Sequence, residues 1–394
     1  MGQIYAMLAS ESSVSLVELV EAGMTKLNVS ERQFSEAVGI QRKSLQRLLG
    51  GEAKKIDVLT MLKLGELLDI DLKSIIQVYV SGLPAESIGE LERAKKAGFI
   101  LRNFDVDGLK KEGVINSTTD FDHIEEKVKH YFSLDSLFQY NGLTSALFSR
   151  TRNTSSDKMT RFWISSAYHI CKTMGNSNAY DRQALFSMIP TLRGFTRDDK
   201  FGLLQVVRAL YSVGVSVVIQ SYMGKTQVRG ATFLVDKKPC IVLADYNKRY
   251  DTLWFALMHE IYHVLKDLDS IAHSGYHVSK EGGQLPIEHD QEIKANTFAA
   301  EFLLSSDKRQ YIASFIDVPG LVEKYALKWD IHPSIIYGLF LKEKGEKMDY
   351  QKLRSLLTTT EASVSSLITR PWRDDIPFQV SAVKLKETLT SVAL

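Results

Sequence analysis

The chain has 394 residues, 44% of them hydrophobic and 24% charged, and a formal net charge of +2. That composition excludes a disordered chain, leaves room for roughly two or three domains, and contains no uninterrupted apolar run near the length of about 18 residues that a membrane span needs. The start lacks a basic and then apolar secretion signal, and Cys171 and Cys240 lie far apart in sequence, so a disulfide scaffold and a structural cysteine-zinc site are excluded and a reducing cytoplasm is the expected setting.

In chain order, the first constellation covers residues 30 to 50. Ser30-Glu31-Arg32-Gln33 reads as a capping box, Phe34 and Val38 are apolar at helical spacing, and Gly39 makes a turn. A helix then runs from Gln41 to Leu49, followed by an amphipathic helix from Asp57 to Leu68. This order is the helix-turn-helix plan, in which the second helix of the pair enters the major groove. Its polar face offers Gln41, Arg42, Lys43, Ser44, Gln46 and Arg47, with Lys54 and Lys55 beyond, while Leu45, Leu48 and Leu49 face the domain core. Arginine and glutamine suit base edges and lysine suits phosphate. Residues 16 to 80 resemble the XRE, or lambda-repressor-like, helix-turn-helix family, which implies operator DNA as a partner and a homodimer as the binding form. The bland alternative is a helical interaction module, because only residues 41 to 55 of this end are clearly basic.

Ser81-Gly82-Leu83-Pro84 punctuates the chain, and a mostly helical stretch follows as far as a boundary near Ser149 to Ser156. The stretch contains Phe104-Asp105-Val106-Asp107 and a charged helix around His123 to Tyr131, and reads as a spacer or dimerisation region. Helices resume at Arg161, and strand-like runs follow at Val215 to Tyr222, Gly230 to Val235 and Cys240 to Ala244. Cys240 reads as a small buried hydrophobe. Thr226 to Phe233 is expected to be an edge strand that holds an extended substrate by main-chain pairing.

Next comes Leu253 to Leu265, a run without Gly or Pro that contains His259-Glu260-Ile261-Tyr262-His263. On a helix the two imidazoles fall one turn apart on one face and can reach one zinc ion, the pattern of a zinc peptidase. Glu260 is placed to take a proton from the attacking water and pass it to the leaving amine. A catalytic zinc takes three protein ligands, and the third is expected from the next helix, where Glu292 lies in the first turn behind a loop with Gly282, Gly283 and Pro286. Alternatives are Asp267, read as a carboxylate outside the ligand set, and His273, His277, Glu288, His289 and Asp290 in the loop, whose histidines are read as exposed.

Val228 to Phe233, Lys238 to Leu243, Trp254 to Glu260 and Ala295 to Leu304 together resemble the ImmA/IrrE family of bacterial metallopeptidases, over roughly residues 200 to 345. The resemblance implies His259, His263 and Glu292 as zinc ligands, one Zn2+ per chain, Glu260 as the catalytic base, and a transcriptional repressor as substrate, often under DNA damage, stress or a mobile element. Two departures are Tyr262, where many members carry Gly, and the length of the loop from Asp269 to Asp290. Tyr262 reads as packed against the core.

After Leu304 further helices are expected, with His332 structural. Arg370-Pro371-Trp372-Arg373-Asp374-Asp375-Ile376-Pro377 argues against both helix and central strand, so the end reads as a surface tail, with a regulatory or autoinhibitory segment docked on the catalytic domain as the alternative. The expected architecture is α+β and mostly helical: a helix-turn-helix domain (1–83), a helical spacer (84–158), a zincin-like metallopeptidase domain with a small sheet (159–345) and a C-terminal tail (346–394). The expected function is an intracellular zinc endopeptidase fused to a DNA-binding domain, with a non-proteolytic regulator whose peptidase-like domain senses metal or ligand, or an antitoxin-like interaction protein, as alternatives.

Overall fold

The computed structural model describes residues 15–50, 52–53, 56–83, 85–140, 155–224, 226–280, 286–344 and 350–391. The chain is α+β and mostly helical, and it divides into one unit of residues 1–98 and another of residues 99–394.

The first unit contains α1 (Leu16–Leu27), α2 (Glu31–Val38), α3 (Arg42–Leu49), α4 (Val58–Leu68) and α5 (Leu72–Ser81). Reciprocal capping boxes start α1 at Ser15 with Glu18 and α2 at Ser30 with Gln33, and Asp57 and Asp71 cap α4 and α5. Gly39 ends α2 at φ +76°, a left-handed conformation that glycine adopts without steric cost and that turns the chain into α3 within two residues. Val20, Phe34, Val38, Leu45, Leu64 and Ile75 form a closed core. Gln41, Arg42, Lys43, Ser44, Gln46 and Arg47 are all exposed along α3, and Arg42 is held by Glu31 at 2.9 Å. Leu45 and Leu48 are buried as their spacing requires, whereas Leu49 is half-buried. Lys54 and Lys55 lie outside the described residues.

α6 (Ala85–Asn103) ends the first unit, with residues 99–103 counted in the second, which continues through α7 (Val106–Lys111), α8 (Phe121–Phe132), α9 (Ser155–Met174), α10 (Arg182–Leu192) and α11 (Gly202–Ser212). Then come β1 (Ser216–Ser221), β2 (Val228–Val235), β3 (Lys238–Asp245), α12 (Tyr250–Lys266), α13 (Leu268–Ser274), β4 (Tyr276–Lys280) and α14 (Pro286–Leu303). The chain closes with α15 (Ser306–Ala313), α16 (Pro319–Lys328), α17 (Pro333–Lys344), α18 (Tyr350–Arg354), α19 (Glu361–Val364), β5 (Ile368–Thr369), α20 (Pro371–Asp374) and α21 (Phe378–Thr390). The sheet order is β4-β2-β3-β1-β5; β1 runs parallel to β3 and β5, and β2 runs antiparallel to both β3 and β4. β3 is a near-continuous apolar run and β1 is buried along its whole length, because α9 packs on both strands while α12 covers β3 and α11 packs on β1. Cys240 is buried in β3 as expected. Among the described residues no helix is long and apolar enough to cross a membrane.

Three expectations need correction. Residues 99 to 140 are not a separate spacer: Phe104, Leu109, Ile124, Val128, Tyr131 and Phe132 belong to the same core as the sheet. Residues 350–391 are not a surface tail, since β5 pairs with β1 and Trp372, Phe378 and Leu385 are buried, with α21 packed along α9. The prolines that argued against helix are in fact helix starters: Pro371 opens α20 and Pro377 precedes α21, where a missing N–H costs nothing. Finally, Thr226 to Phe233 is not an edge, because β2 has β3 on one side and β4 on the other. The expected boundary near Ser149 falls, up to residue 154, outside the described residues.

Candidate metal centre

Every residue of α12 from Leu253 to Leu265 is buried except Tyr262, because the sheet covers one face of this helix while α14 and α17 cover others. The run is apolar all round for that reason, and its two imidazoles are held in a closed interior. His259 and His263 stand one turn apart with their Nε2 atoms 3.0 Å from each other. Glu292 meets both: its carboxylate oxygens lie 3.3 Å from His259 Nε2 and 3.2 Å from His263 Nε2. A tetrahedral zinc with donors about 2.0–2.1 Å away keeps them roughly 3.3 Å apart, so the three groups fit such an ion. Among the described residues they are the one group of three ligand-type side chains that converges so closely.

The other imidazole nitrogens are already employed. His263 Nδ1 lies 2.7 Å from Asp267 Oδ2, and His259 Nδ1 lies 3.2 Å from Asn296 Oδ1. Two acceptors of this kind favour a proton on each Nδ1, so a neutral ring at either position presents its lone pair at Nε2. Burial alone lowers the pKa of His263, but its bonds to Asp267 and Glu292 outweigh burial and raise it to about 9. Burial likewise works against ionisation of Glu292, yet His259, His263 and His277 together hold its carboxyl far below the usual range. A carboxylate in this setting remains ionised across the physiological range.

Glu260 is fully buried on the neighbouring face of α12, where it accepts hydrogen bonds from Thr232 Oγ1 of β2 and Ser279 Oγ of β4, both at 2.7 Å. β2 passes so close that a Cβ at Gly230 would stand 2.6 Å from Glu260 Oε1 and 2.9 Å from its Cγ. Gly230→Ala is therefore expected to displace this carboxylate, costing about 1–3 kcal/mol of stability and most of any Glu260-dependent activity. Thermal melting and an activity assay on the variant check this; wild-type values in both would show that the carboxylate has room to yield.

Asp267 touches His263 rather than the ligand pocket, as read from the sequence, and His273 is exposed. His332 is structural, its Nδ1 accepting from the Ser334 N–H at 3.1 Å. The ring of Tyr262 packs beside Phe298, centroids 5.6 Å apart. Asp290 pairs with Lys294 at 2.6 Å on the surface, and the side chains of Glu288 and His289 lie outside the described residues. Glu292 sits in the second turn of α14, not the first, because that helix already begins at Pro286. The expected long loop from Asp269 to Asp290 instead contains α13 and β4. With β4 comes the largest correction: His277, read as exposed, is half-buried with Nε2 2.5 Å from Glu292 Oε1.

Sequence reasoning missed Asn296, Thr232 and Ser279, and weighed His277 only as an exposed alternative ligand. Asn296 had a usable signal, being one helical turn after Glu292 on α14. The other three arrive through strand pairing, which local spacing does not reveal.

No curated protein and no solved structure matches the chain. Residues 212–313, from the end of α11 to the end of α15 and therefore containing His259, Glu260, His263 and Glu292, match the model of the peptidase M78 family, the IrrE N-terminal-like domain.

Proposed function

We propose that the protein is an intracellular, zinc-dependent endopeptidase fused to a DNA-binding module, and that it cleaves a transcriptional repressor, or itself, to control a stress-response, mobile-element or phage-defence operon. The observation that carries the peptidase reading is the convergence of His259 Nε2, His263 Nε2 and the Glu292 carboxylate, with Glu260 next to His259 on the same helix. Zinc held by these three residues supplies Lewis-acid polarisation of a peptide carbonyl and of water. Asp267 and Asn296 fix the two rings from behind, so the ligand geometry is set before the ion arrives. Glu260 takes the proton of the attacking water on a carboxylate oxygen and returns it to the leaving nitrogen. Hydrolysis of a random peptide library, followed by mass spectrometry, tests the reading: cleavage should stop with a chelator and return with added zinc, and a library left intact under both conditions would refute it.

The DNA-binding half of the proposal rests on α3, a short helix after a glycine turn that exposes Gln41, Arg42, Lys43, Ser44, Gln46 and Arg47. Arg47 and Gln46 are the readers of base edges in this reading, and the operator is bound by a homodimer. Arg47→Ala should cost about 1–3 kcal/mol in specific binding, read by gel shift on fragments selected from random DNA. Equal binding by wild type and variant would remove α3 as the reading helix.

A second reading, a regulator that senses metal or ligand without hydrolysis, draws support from one feature. Both oxygens of Glu260 are occupied by hydroxyls, and the residue has no exposure.

A further inference from the structure

β4 covers the side of β2 away from β3, beside the converging His259, His263 and Glu292. It is the outermost strand on its side of the sheet and pairs antiparallel with β2 alone, with His277 opposite Thr232 and Ser279 opposite Gly230. Alternate residues of a strand face alternate ways, so His277 and Ser279 point to α12 while Tyr276 and Val278 point away. The two inward residues reach the working parts of the centre: His277 Nε2 lies 2.5 Å from a Glu292 oxygen and Ser279 Oγ 2.7 Å from a Glu260 oxygen. An extended peptide added to the sheet beside the metal ligands would use the same main-chain groups of β2 and cross the same two carboxylates.

We propose that the side of β2 away from β3 is the seat of the substrate's main chain and that β4 is its resident occupant, so that a polypeptide enters in extended form by exchanging with Tyr276–Lys280. The inference rests on the peptidase reading and adds to it the way the cleft is filled at rest. With β4 seated, Thr232 and Ser279 take both oxygens of Glu260, and the fully buried carboxylate has no face turned to water. Exchange frees one of those oxygens and opens the approach to the ligands. An incoming strand restores the ladder bonds that β4 gives up, which leaves the bonds of His277 to Glu292 and of Ser279 to Glu260 as the cost of displacement. β4 is also weakly anchored: it has five residues, follows Gly275 at φ +90°, and its pairing with β2 slips register between Val228 and Gly230.

A reversible lock tests this. Ala231 and Val278 are directly opposite in the pairing, on the strand faces turned away from α12. The full-length Ala231→Cys, Val278→Cys protein can be held oxidised, with β4 tied to β2, or reduced, with wild-type protein under both conditions as control. The probe is a fluorescein-labelled synthetic peptide with the sequence of residues 274–280, followed by anisotropy, with its integrity and the zinc content checked by mass spectrometry. The reduced protein should bind the peptide at least about tenfold more tightly than the oxidised one, with equal zinc. Equal affinity in the two forms, or no saturable binding by the reduced form, overturns the proposal. If the cross-link does not form, hydrogen exchange on wild type serves instead: saturating peptide should deprotect the amides of Tyr276–Lys280 and leave β3 unchanged, and protection that persists in β4 overturns it. The two readings fail in different ways. Peptide exchange without zinc-dependent cleavage removes the hydrolytic reading, whereas cleavage with equal binding in both redox forms removes only the exchange.

Discussion

Replacing Glu260 by glutamine is expected to lower peptide hydrolysis by about 10²- to 10⁴-fold and to leave zinc binding intact. The expectation follows from the division of labour on α12: His259 and His263 face Glu292, while Glu260 faces Thr232 and Ser279 and makes no contact with the three converging donor atoms. Glutamine keeps the shape and one oxygen acceptor, so the fold of the centre should persist. It cannot receive a proton, and that is the function at stake. Single-turnover cleavage beside elemental analysis of zinc separates the two effects. A variant that lost zinc together with activity would place Glu260 among the ligands, and one that kept full activity would remove it from the chemistry.

A second large effect is expected far from the metal. Phe378 is fully buried at the start of α21 and packs its ring against Phe132 of α8, centroids 4.7 Å apart, and against Tyr131, at 5.9 Å. The same corner is tied by Asp375, which accepts from Lys127 Nζ at 2.8 Å and from the Tyr131 hydroxyl at 3.2 Å. Phe378→Ala should therefore cost about 3–5 kcal/mol, a large share of the ~5–15 kcal/mol that holds a typical domain together. Denaturant unfolding measures it. A loss below about 1 kcal/mol would show that the last helix is an appendage after all.

The convergence of His259, His263 and Glu292 was legible in the sequence because its parts are local. Two histidines four residues apart on an apolar helix can only share a face, and Glu292 stands on the helix that returns beside them. Three of the helices before residue 82, α2 to α4, were legible for a similar reason, since Ser30, Gly39 and Asp57 mark where they begin and turn. What stayed hidden depends on contacts between distant segments. Ser279 and His277 reach the site only because β4 pairs with β2, across a segment whose glycines and charges read as loop. Phe378, Ala382, Leu385 and Leu389 form an apolar helical stripe, but two prolines upstream suggested a disrupted segment until each was found at a helix start. Sequence periodicity identifies an apolar face and does not name the partner that buries it.

The decisive measurement is cleavage mapping by mass spectrometry, with the zinc-loaded protein and its Glu260→Gln variant each incubated with the helix-turn-helix proteins encoded beside its gene. New termini in one of those proteins, or in the chain itself, that appear with wild type and are absent with the variant are the expected result. The same fragments from both proteins, or intact partners with a fully zinc-loaded wild type whose β4 has been shown to exchange, would contradict a hydrolytic role for this centre.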